Sequence, residues 1–474
     1  MIDKTRKALL FFVPCAVFFY TLALAATPRP LPDPDRISFK PLSFTPPKAE
    51  RVTMQNGIAL YILANRELPL VKITAVIRTG SMYDPPEKEG LAELTGQVMR
   101  TGGIEGMTGD ALEETLESMA ANLTISTQRD SATLSLSVLR NDLEKGMELF
   151  SRVLMKPLFE AGKLALAKDL KIEELRRIAD NPQKLAFREF GRLIHEGSPR
   201  GRLFTAGSIG RIERDDLVLF HHRFYHPKNV LLSMSGDIDG GEAEALVNRY
   251  LGNWQTPGQV SAPLPLPRPP QGKYFILTRD LTQSIVIFGW LAPAKKDARS
   301  FPFEIADFVI GSGGFRSRIF QEIRTNQGLA YSAGSFYSAK NGYGTFGAYT
   351  VTKSESTVKV ISLLREIIDR FGTESLTAKE LKATKNAIGN SFIFSFTSVD
   401  QIALQQMMLE YEDLPEDYLI TYRSNINNVT SEEVRKTAAD YLDPDRAIML
   451  IVGNDAVYRE ISSRFPEIKK IENP

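Results

Sequence analysis

The sequence predicts an α+β protein of two homologous halves, each an antiparallel sheet packed with helices, joined by a Pro-rich linker. A chain of 474 residues is too long for one ordinary hydrophobic core. Each half also closes with an amphipathic helix, a proline and an apolar strand that ends in glycine. The interval from Pro227 to Pro444 equals the interval from Gly236 to Gly453. Two pairs of landmarks at one offset indicate an internal duplication.

These patterns predict an N-terminal domain at residues 50–254, a linker at 255–272 and a C-terminal domain at 273–474. The linker, QTPGQVSAPLPLPRPPQG, combines proline with small and polar residues. In the first domain, Asn56-Gly57 stands between two strand-like runs and predicts a hairpin.

A strand followed by a helix is predicted once in each half. In the first half, TLSLSV alternates apolar and polar side chains, and apolar residues then recur at helical spacing from Leu143 to Leu154. In the second half, TFGAYTV precedes the same spacing from Val360 to Phe371. The repeated pattern is typical of helices that pack on a half-buried sheet.

The N-terminus predicts a secretory signal peptide at residues 1–25, with export to the periplasm. A short basic start precedes an uncharged apolar run and the small-residue pattern Ala23-Leu24-Ala25. The alternative is an uncleaved membrane anchor, because the run is about long enough to span a bilayer. Residues 26–49 are Pro-rich and predict an extended lead-in. Cys15 is the only cysteine, so the mature chain would have no disulfide and no Cys metal ligand.

Composition and motifs argue against several function classes. The net charge of +1 gives no reason to expect a nucleic-acid partner. We find no Gly-x-Ser-x-Gly motif for a serine hydrolase, and the glycines near residue 311 lack the Gly-Lys-Ser/Thr of a phosphate loop. His222 and His226 have the spacing of a metal pair and adjoin His221, but the matching helix of the second half has no histidine. We interpret these residues, and the isolated His195, as structural.

The segments GSMYDPPEKEGLAEL and EELRRIADNPQKLAF resemble the pitrilysin/insulinase family of zinc peptidases, of the mitochondrial processing peptidase type. The resemblance covers about residues 50–463 and implies the metallopeptidase fold of that type. It also implies a helix with the zinc motif His-x-x-Glu-His and a distant glutamate ligand. In this chain the motif positions hold Glu93, Gly96 and Gln97, and the distant position holds Glu174.

This degenerate motif predicts that the chain binds no metal and does not cleave peptides by itself. Gly96 has no side chain to act as the general base that activates water. A hard cation between Glu93, Gln97 and Glu174 is the alternative. The other interpretation is that Glu93 and Glu174 are ordinary carboxylates of the surface or of a cleft.

The second half contains GSGGFRSRIFQEIRTNQGLAYSAG, which resembles the other functional segment of the family. The resemblance implies a substrate-handling loop at Gly311, Gly313 and Gly314, and catalytic roles for Arg324 and Tyr331 beside zinc held by the other half or by a partner. A Tyr hydroxyl can donate a hydrogen bond to an oxyanion, and an Arg can bind a substrate carbonyl or carboxylate. Without the resemblance, Arg324 would be a solvated charge and Tyr331 a core aromatic.

The resemblance therefore implies a non-catalytic subunit of a periplasmic heterodimeric zinc metallopeptidase. Its partner would be a related chain with His-x-x-Glu-His and the zinc, and its substrate a peptide. Self-association is the alternative to that partner. The alternative function is a non-enzymatic binding or scaffold protein of the cell envelope that reuses the peptidase fold.

Overall fold

The computed structural model of the protein describes residues 45–256, 264–268, 270 and 272–471. The predicted signal peptide, most of the Pro-rich lead-in and part of the linker lie outside these residues. Within the described part, no helix combines the length and the apolar character needed to cross a membrane. The described strands form two six-stranded sheets, one before and one after the linker.

The two sheets have matching strand orders, β1-β2-β6-β3-β5-β4 and β12-β7-β11-β8-β10-β9. The strands of the first sheet are β1 (Glu50–Thr53), β2 (Ala59–Ala64), β3 (Leu70–Ile77), β4 (Asn122–Thr127), β5 (Ala132–Leu139) and β6 (Val230–Gly236). Those of the second sheet are β7 (Lys273–Thr278), β8 (Gln283–Ala292), β9 (Ala330–Ala339), β10 (Gly344–Lys353), β11 (Ile448–Gly453) and β12 (Lys469–Ile471). Apart from the outermost β1 and β12, the strands correspond in sequence order, so the predicted two-half architecture is confirmed.

Helices pack against both sheets. In the first half they are α1 (Leu91–Thr101), α2 (Gly109–Ser118), α3 (Leu143–Met155), α4 (Ala161–Asp180), α5 (Pro182–Ile194), α6 (Ala206–Arg211), α7 (Arg214–Phe224) and α8 (Gly240–Leu251). In the second half they are α9 (Ser300–Asp307), α10 (Thr357–Thr373), α11 (Ala378–Ser391), α12 (Val399–Tyr411), α13 (Tyr418–Asn428), α14 (Ser431–Tyr441) and α15 (Asp455–Arg464).

The sheets are mixed, whereas the sequence predicted antiparallel ones. β6 pairs in parallel with β2 and antiparallel with β3, and β11 pairs in parallel with β7 and antiparallel with β8. Each of these strands follows a long helical segment, and such a crossover allows a strand to return in parallel. Side-chain periodicity reports which face is buried and carries no information on strand direction.

The local patterns are confirmed. β1 and β2 form an antiparallel hairpin, with Gly57 at φ +95° between them. β5 alternates buried and half-buried side chains, as TLSLSV predicts. The apolar residues from Leu143 to Leu154 line the buried side of α3.

Each half packs one helix against the sheet of the other half. α5 contacts β8 and β11, and α12 contacts β2 and β6. The two helices are equal in length and are separated by the same offset as the paired prolines, so they are duplicates of each other. The Phe190 ring of α5 meets the Phe336 ring of β9 edge-on, with centroids 5.9 Å apart. This exchange fixes the two sheets relative to each other and leaves a cavity between the halves.

Candidate functional site

Helix α1 carries the positions that align with the zinc motif. Its apolar residues are buried in the first core, while Glu93 and Gln97 are only half-buried. The buried Asp84 accepts hydrogen bonds from the backbone N–H groups of Gly90 (2.7 Å) and Ala92 (2.8 Å), which satisfies donors of the first turn. Burial outweighs these two bonds and raises the pKa of Asp84 to about 7. The start of α1 is therefore fixed by a buried carboxyl group.

An ammonium group lies between the two carboxylates of the degenerate motif. The Lys171 Nζ atom, on α4, contacts the Glu93 carboxylate and lies 2.8 Å from Glu174 Oε2. It also lies 4.5 Å from the centroid of the Phe204 ring. Burial opposes the charge of Lys171, but the charges and hydrogen bonds of Glu93 and Glu174 outweigh it and raise the pKa. Lys171 therefore remains a cation at neutral pH.

Zinc does not fit these residues. The Lys171 ammonium takes the space between Glu93 and Glu174, and a Gln side chain at position 97 replaces a His ligand. A Cβ at Gly96 would lie 2.6 Å from Thr127 Oγ1, so a catalytic glutamate at that position would displace this hydroxyl. Across the described residues, no group of three or more His, Cys, Asp or Glu side chains could hold a metal.

A cavity of about 1190 Å³ lies between the halves, beside the triad formed by Lys171, Glu93 and Glu174. Glu93 and Glu174 line one part of it, together with the segment that follows β4. The aromatic rings of Phe187 and Phe336 line another part, from the first and second half respectively. The cavity is therefore built from both halves of one chain.

Arg324 and Tyr331 do not line this cavity. Arg324 lies in a π-helical turn (Phe320–Thr325), and its guanidinium carbon is 4.6 Å from the centroid of the Phe320 ring. Tyr331 is the second residue of β9 and is 78% exposed. The interpretation of Tyr331 as a core aromatic is therefore wrong. Both side chains face solvent on the second half.

The glycine-rich segment packs tightly at its start and opens at its end. Gly311 lies in a π-helical turn (Phe308–Ser312), and a Cβ there would lie 2.2 Å from the backbone nitrogen of Ser335. A Cβ at Gly313 would lie 2.5 Å from the Phe308 carbonyl oxygen. Gly314 has φ +64°, and a Cβ there would have no neighbour within 4 Å. The first two glycines thus serve close packing, and Gly314 serves the turn.

His222 and His226, which have the spacing of a metal pair, differ in exposure: His222 is exposed and His226 is buried. His221 is buried, and its Nε2 lies 2.9 Å from the Leu154 carbonyl oxygen. Burial lowers the pKa of His221 to about 4. His226 is buried beside the end of α7, and His195 caps α5 and lines the cavity.

Sequence reasoning missed three residues of the site. Lys171 is separated from Glu93 by 78 residues, so no local pattern pairs them. Its position three residues before Glu174 on a helix was the one available signal, since side chains at that spacing are neighbours. Asp84 and Arg129 line the cavity from loops, for which periodicity gives no prediction.

Known proteins resemble this chain in sequence. The family description "Insulinase (Peptidase family M16)" matches residues 62–196, and "Peptidase M16 inactive domain" matches residues 211–388. An "Uncharacterized zinc protease" of Rickettsia bellii is 23% identical, over 77% of this chain and 86% of its own length. The "Uncharacterized zinc protease YmxG" of Bacillus subtilis is 21% identical, over 85% of this chain and 98% of its own length.

Two solved structures share the fold. A peptidase M16 inactive domain from Pseudomonas fluorescens has a TM-score of 0.79 and 24% identity, and covers 86% of this chain and 98% of its own. A protease from Helicobacter pylori has a TM-score of 0.77 and 17% identity, and covers 86% of this chain and 99% of its own. With both family matches and the shared fold, the chain belongs to the insulinase family, peptidase family M16, and its motif helix lacks the zinc ligands of that family.

Proposed function

We propose that this chain is the non-catalytic, substrate-binding subunit of a two-chain zinc peptidase of the periplasm. One observation carries the proposal: the Lys171 ammonium lies between Glu93 and Glu174, at the positions where the family holds zinc. Any zinc chemistry must then come from another chain. The relatives named zinc proteases make a peptide the expected substrate.

Arg324 and Tyr331 are the groups that this chain would supply to the partner's zinc site. Both are exposed and lie outside the chain's own cavity, so a second chain can reach them. Phe315, 74% exposed, lies nearby and packs edge-on against Phe320 at 4.8 Å. A surface of Phe, Tyr and Arg has the composition of the energetic centre of protein interfaces.

The cavity between the halves would hold the peptide. β4 is the last strand of the first sheet, and an extended peptide can add to the edge of a sheet through main-chain hydrogen bonds. Residues after β4 line the cavity, so a peptide that pairs with β4 would enter it. The cavity would thus bind one part of the substrate, while Arg324 and Tyr331, outside the cavity, would act on another part at the partner's zinc.

The experiment is a pull-down of the tagged chain from its native envelope fraction, followed by peptide hydrolysis and zinc analysis of what is recovered. We expect a related zinc-motif chain and hydrolysis that needs both chains. Arg324→Ala or Tyr331→Phe should reduce kcat by about 10²-fold or more, as loss of an oxyanion donor does. Arg459→Ala, an exposed arginine on α15, is the matched control.

A non-enzymatic binding protein is the second candidate. The observation in its favour is that the cavity is complete within one chain. Recovery of the chain only with itself, without zinc and without hydrolysis, would favour this candidate. If complexes of the partner with the Arg324→Ala chain or the Tyr331→Phe chain hydrolyse the peptide at the native rate, then Arg324 and Tyr331 do not act at the partner's zinc.

A further inference from the structure

Among the described residues, the guanidinium of Arg129 forms no ion pair, although burial withdraws much of it from water. Arg129 lies two residues after the end of β4 and lines the cavity. Over the described ranges, its side chain donates no hydrogen bond to another residue. Burial lowers the pKa of Arg129, and the charge of Arg200 adds to this, while Tyr343 and Asp130 act in the opposite direction.

The other arginines of the cavity wall do have partners. Arg188 donates to the Phe204 carbonyl oxygen at 2.5 Å, and Arg202 donates to the Asp84 carbonyl oxygen at 2.7 Å. An unpaired, partly desolvated guanidinium costs free energy that a bound anion would offset. Among the described residues of this wall, Arg129 is therefore the arginine that is free to bind an anion.

A second donor lies close to Arg129. His195 is 2% exposed and lines the same cavity, and its Nδ1 atom has no hydrogen-bond partner among the described residues. Burial, with the nearby charges of Arg129 and Arg200, lowers the pKa of His195 to about 3, so the ring is neutral at pH 7. A neutral imidazole carries one N–H donor. The carboxylate that faces these groups, Asp130, lies 3.9 Å from the Lys340 ammonium.

We propose that Arg129, with His195 as second donor, binds a carboxylate of the peptide ligand at the end of β4. This rests on the proposed function, in which the chain binds a peptide along that strand. A peptide that runs parallel to β4 would end with its carboxyl terminus beside Arg129. An acidic side chain of the peptide supplies the same chemistry. A guanidinium can form two parallel hydrogen bonds to either carboxylate.

The test is fluorescence anisotropy with three N-terminally labelled decapeptides of one Ser/Thr/Val sequence. The first has a free carboxyl terminus, the second a carboxamide, and the third a carboxamide with Glu at the last position. Because charge-assisted hydrogen bonds are strong, we expect the full-length chain to bind a carboxylate-bearing peptide about 10-fold or more tightly than the plain carboxamide. If only the first peptide binds tightly, the ligand group is the carboxyl terminus. If only the third binds tightly, the ligand group is an acidic side chain.

Arg129→Gln should remove this difference in affinity between the carboxylate-bearing peptides and the plain carboxamide. Arg129→Lys keeps the charge but cannot form two parallel hydrogen bonds, so it should retain part of the affinity difference. Arg176→Gln, which changes an exposed arginine of α4, should retain all of the difference. Equal binding of the three peptides by the native chain would overturn the carboxylate site and leave peptide binding intact. Binding of none would overturn both proposals for this chain.

Discussion

Replacement of Lys171 by Met tests whether its ammonium is a structural cation between the carboxylates of the degenerate motif. The change removes the contacts with Glu93, with Glu174 at 2.8 Å and with the Phe204 ring at 4.5 Å, and keeps a side chain of similar length. Removal of one partner of a fully buried pair costs about 3–5 kcal/mol, and loss of an exposed pair about 0–1 kcal/mol.

The exposure of Glu93 and Glu174 places the expected cost of removing the Lys171 ammonium between these two limits. Its own side chain is 10% exposed, whereas Glu93 is 29% and Glu174 51% exposed, so water relieves part of the cost of the unpaired carboxylates. We expect the free energy of unfolding to fall by about 2 kcal/mol, of which the contact with Phe204 accounts for about 1 kcal/mol. The double variant Lys171→Met/Glu93→Gln should regain about 1 kcal/mol, because it leaves no charge at position 93.

The measurement is urea unfolding followed by circular dichroism and by the fluorescence of Trp254 and Trp290. Trp254 packs against the core of the first half and Trp290 lies in the core of the second, so the two rings report on different halves. Arg176→Met is the control, since Arg176 forms an exposed pair with Glu173 at 3.4 Å on the same helix. Equal destabilisation by Lys171→Met and Arg176→Met would refute the structural role of the triad.

Three further changes test the fold around the site. Burial holds the pKa of His221 in the folded chain at about 4, below its value in the unfolded chain, so the native chain loses stability as the pH falls. Because Phe does not titrate, the destabilisation caused by His221→Phe should shrink by about 2 kcal/mol between pH 7 and pH 5. Urea unfolding at each pH measures this change. Gly311→Ala, with a Cβ 2.2 Å from the Ser335 nitrogen, should lower the melting temperature, whereas Gly162→Ala, with no neighbour within 4 Å, should gain about 0.5–1 kcal/mol. Phe190→Ala should cost about 3–5 kcal/mol and separate the transitions of the two tryptophans, because this ring joins the halves.

The sequence predicted the fold well because duplication and periodicity are local or regularly spaced signals. The constant offset between the halves, the Asn56-Gly57 hairpin and the alternation in β5 each depend on neighbouring residues or on one repeat. The same signals say nothing of which strand lies beside which. The parallel pairing of β2 with β6 follows from the crossover between them and became visible only in the structure.

From the sequence, the site could be predicted only as a helix that lacks the zinc ligands of the family. Glu93, Gly96 and Gln97 showed that zinc ligands are missing from the helix, but what replaces the metal comes from α4. Likewise, Arg129 and His195 are far apart in sequence and meet through the packing of α5, at the end of which His195 lies. Contacts of this kind depend on how helices lie on sheets, and periodicity gives no register between distant elements.

The duplicate half supplies an internal test of why Lys171 is present. Helix α11 follows α4 at the offset that separates the paired prolines, so the positions of Lys171 and Glu174 correspond to Ile388 and Ser391. Ile388 is buried at 4% exposure, which shows that an apolar residue packs well at this place in the fold. Because apolar residues often replace buried ion pairs without loss, Lys171→Ile/Glu174→Ser/Glu93→Gln should unfold within about 1 kcal/mol of the native chain. If so, the stability of the first half does not require the triad, and its role lies in the charge that it presents to the cavity. A loss above about 3 kcal/mol in urea unfolding would instead make the triad a structural requirement of this half alone.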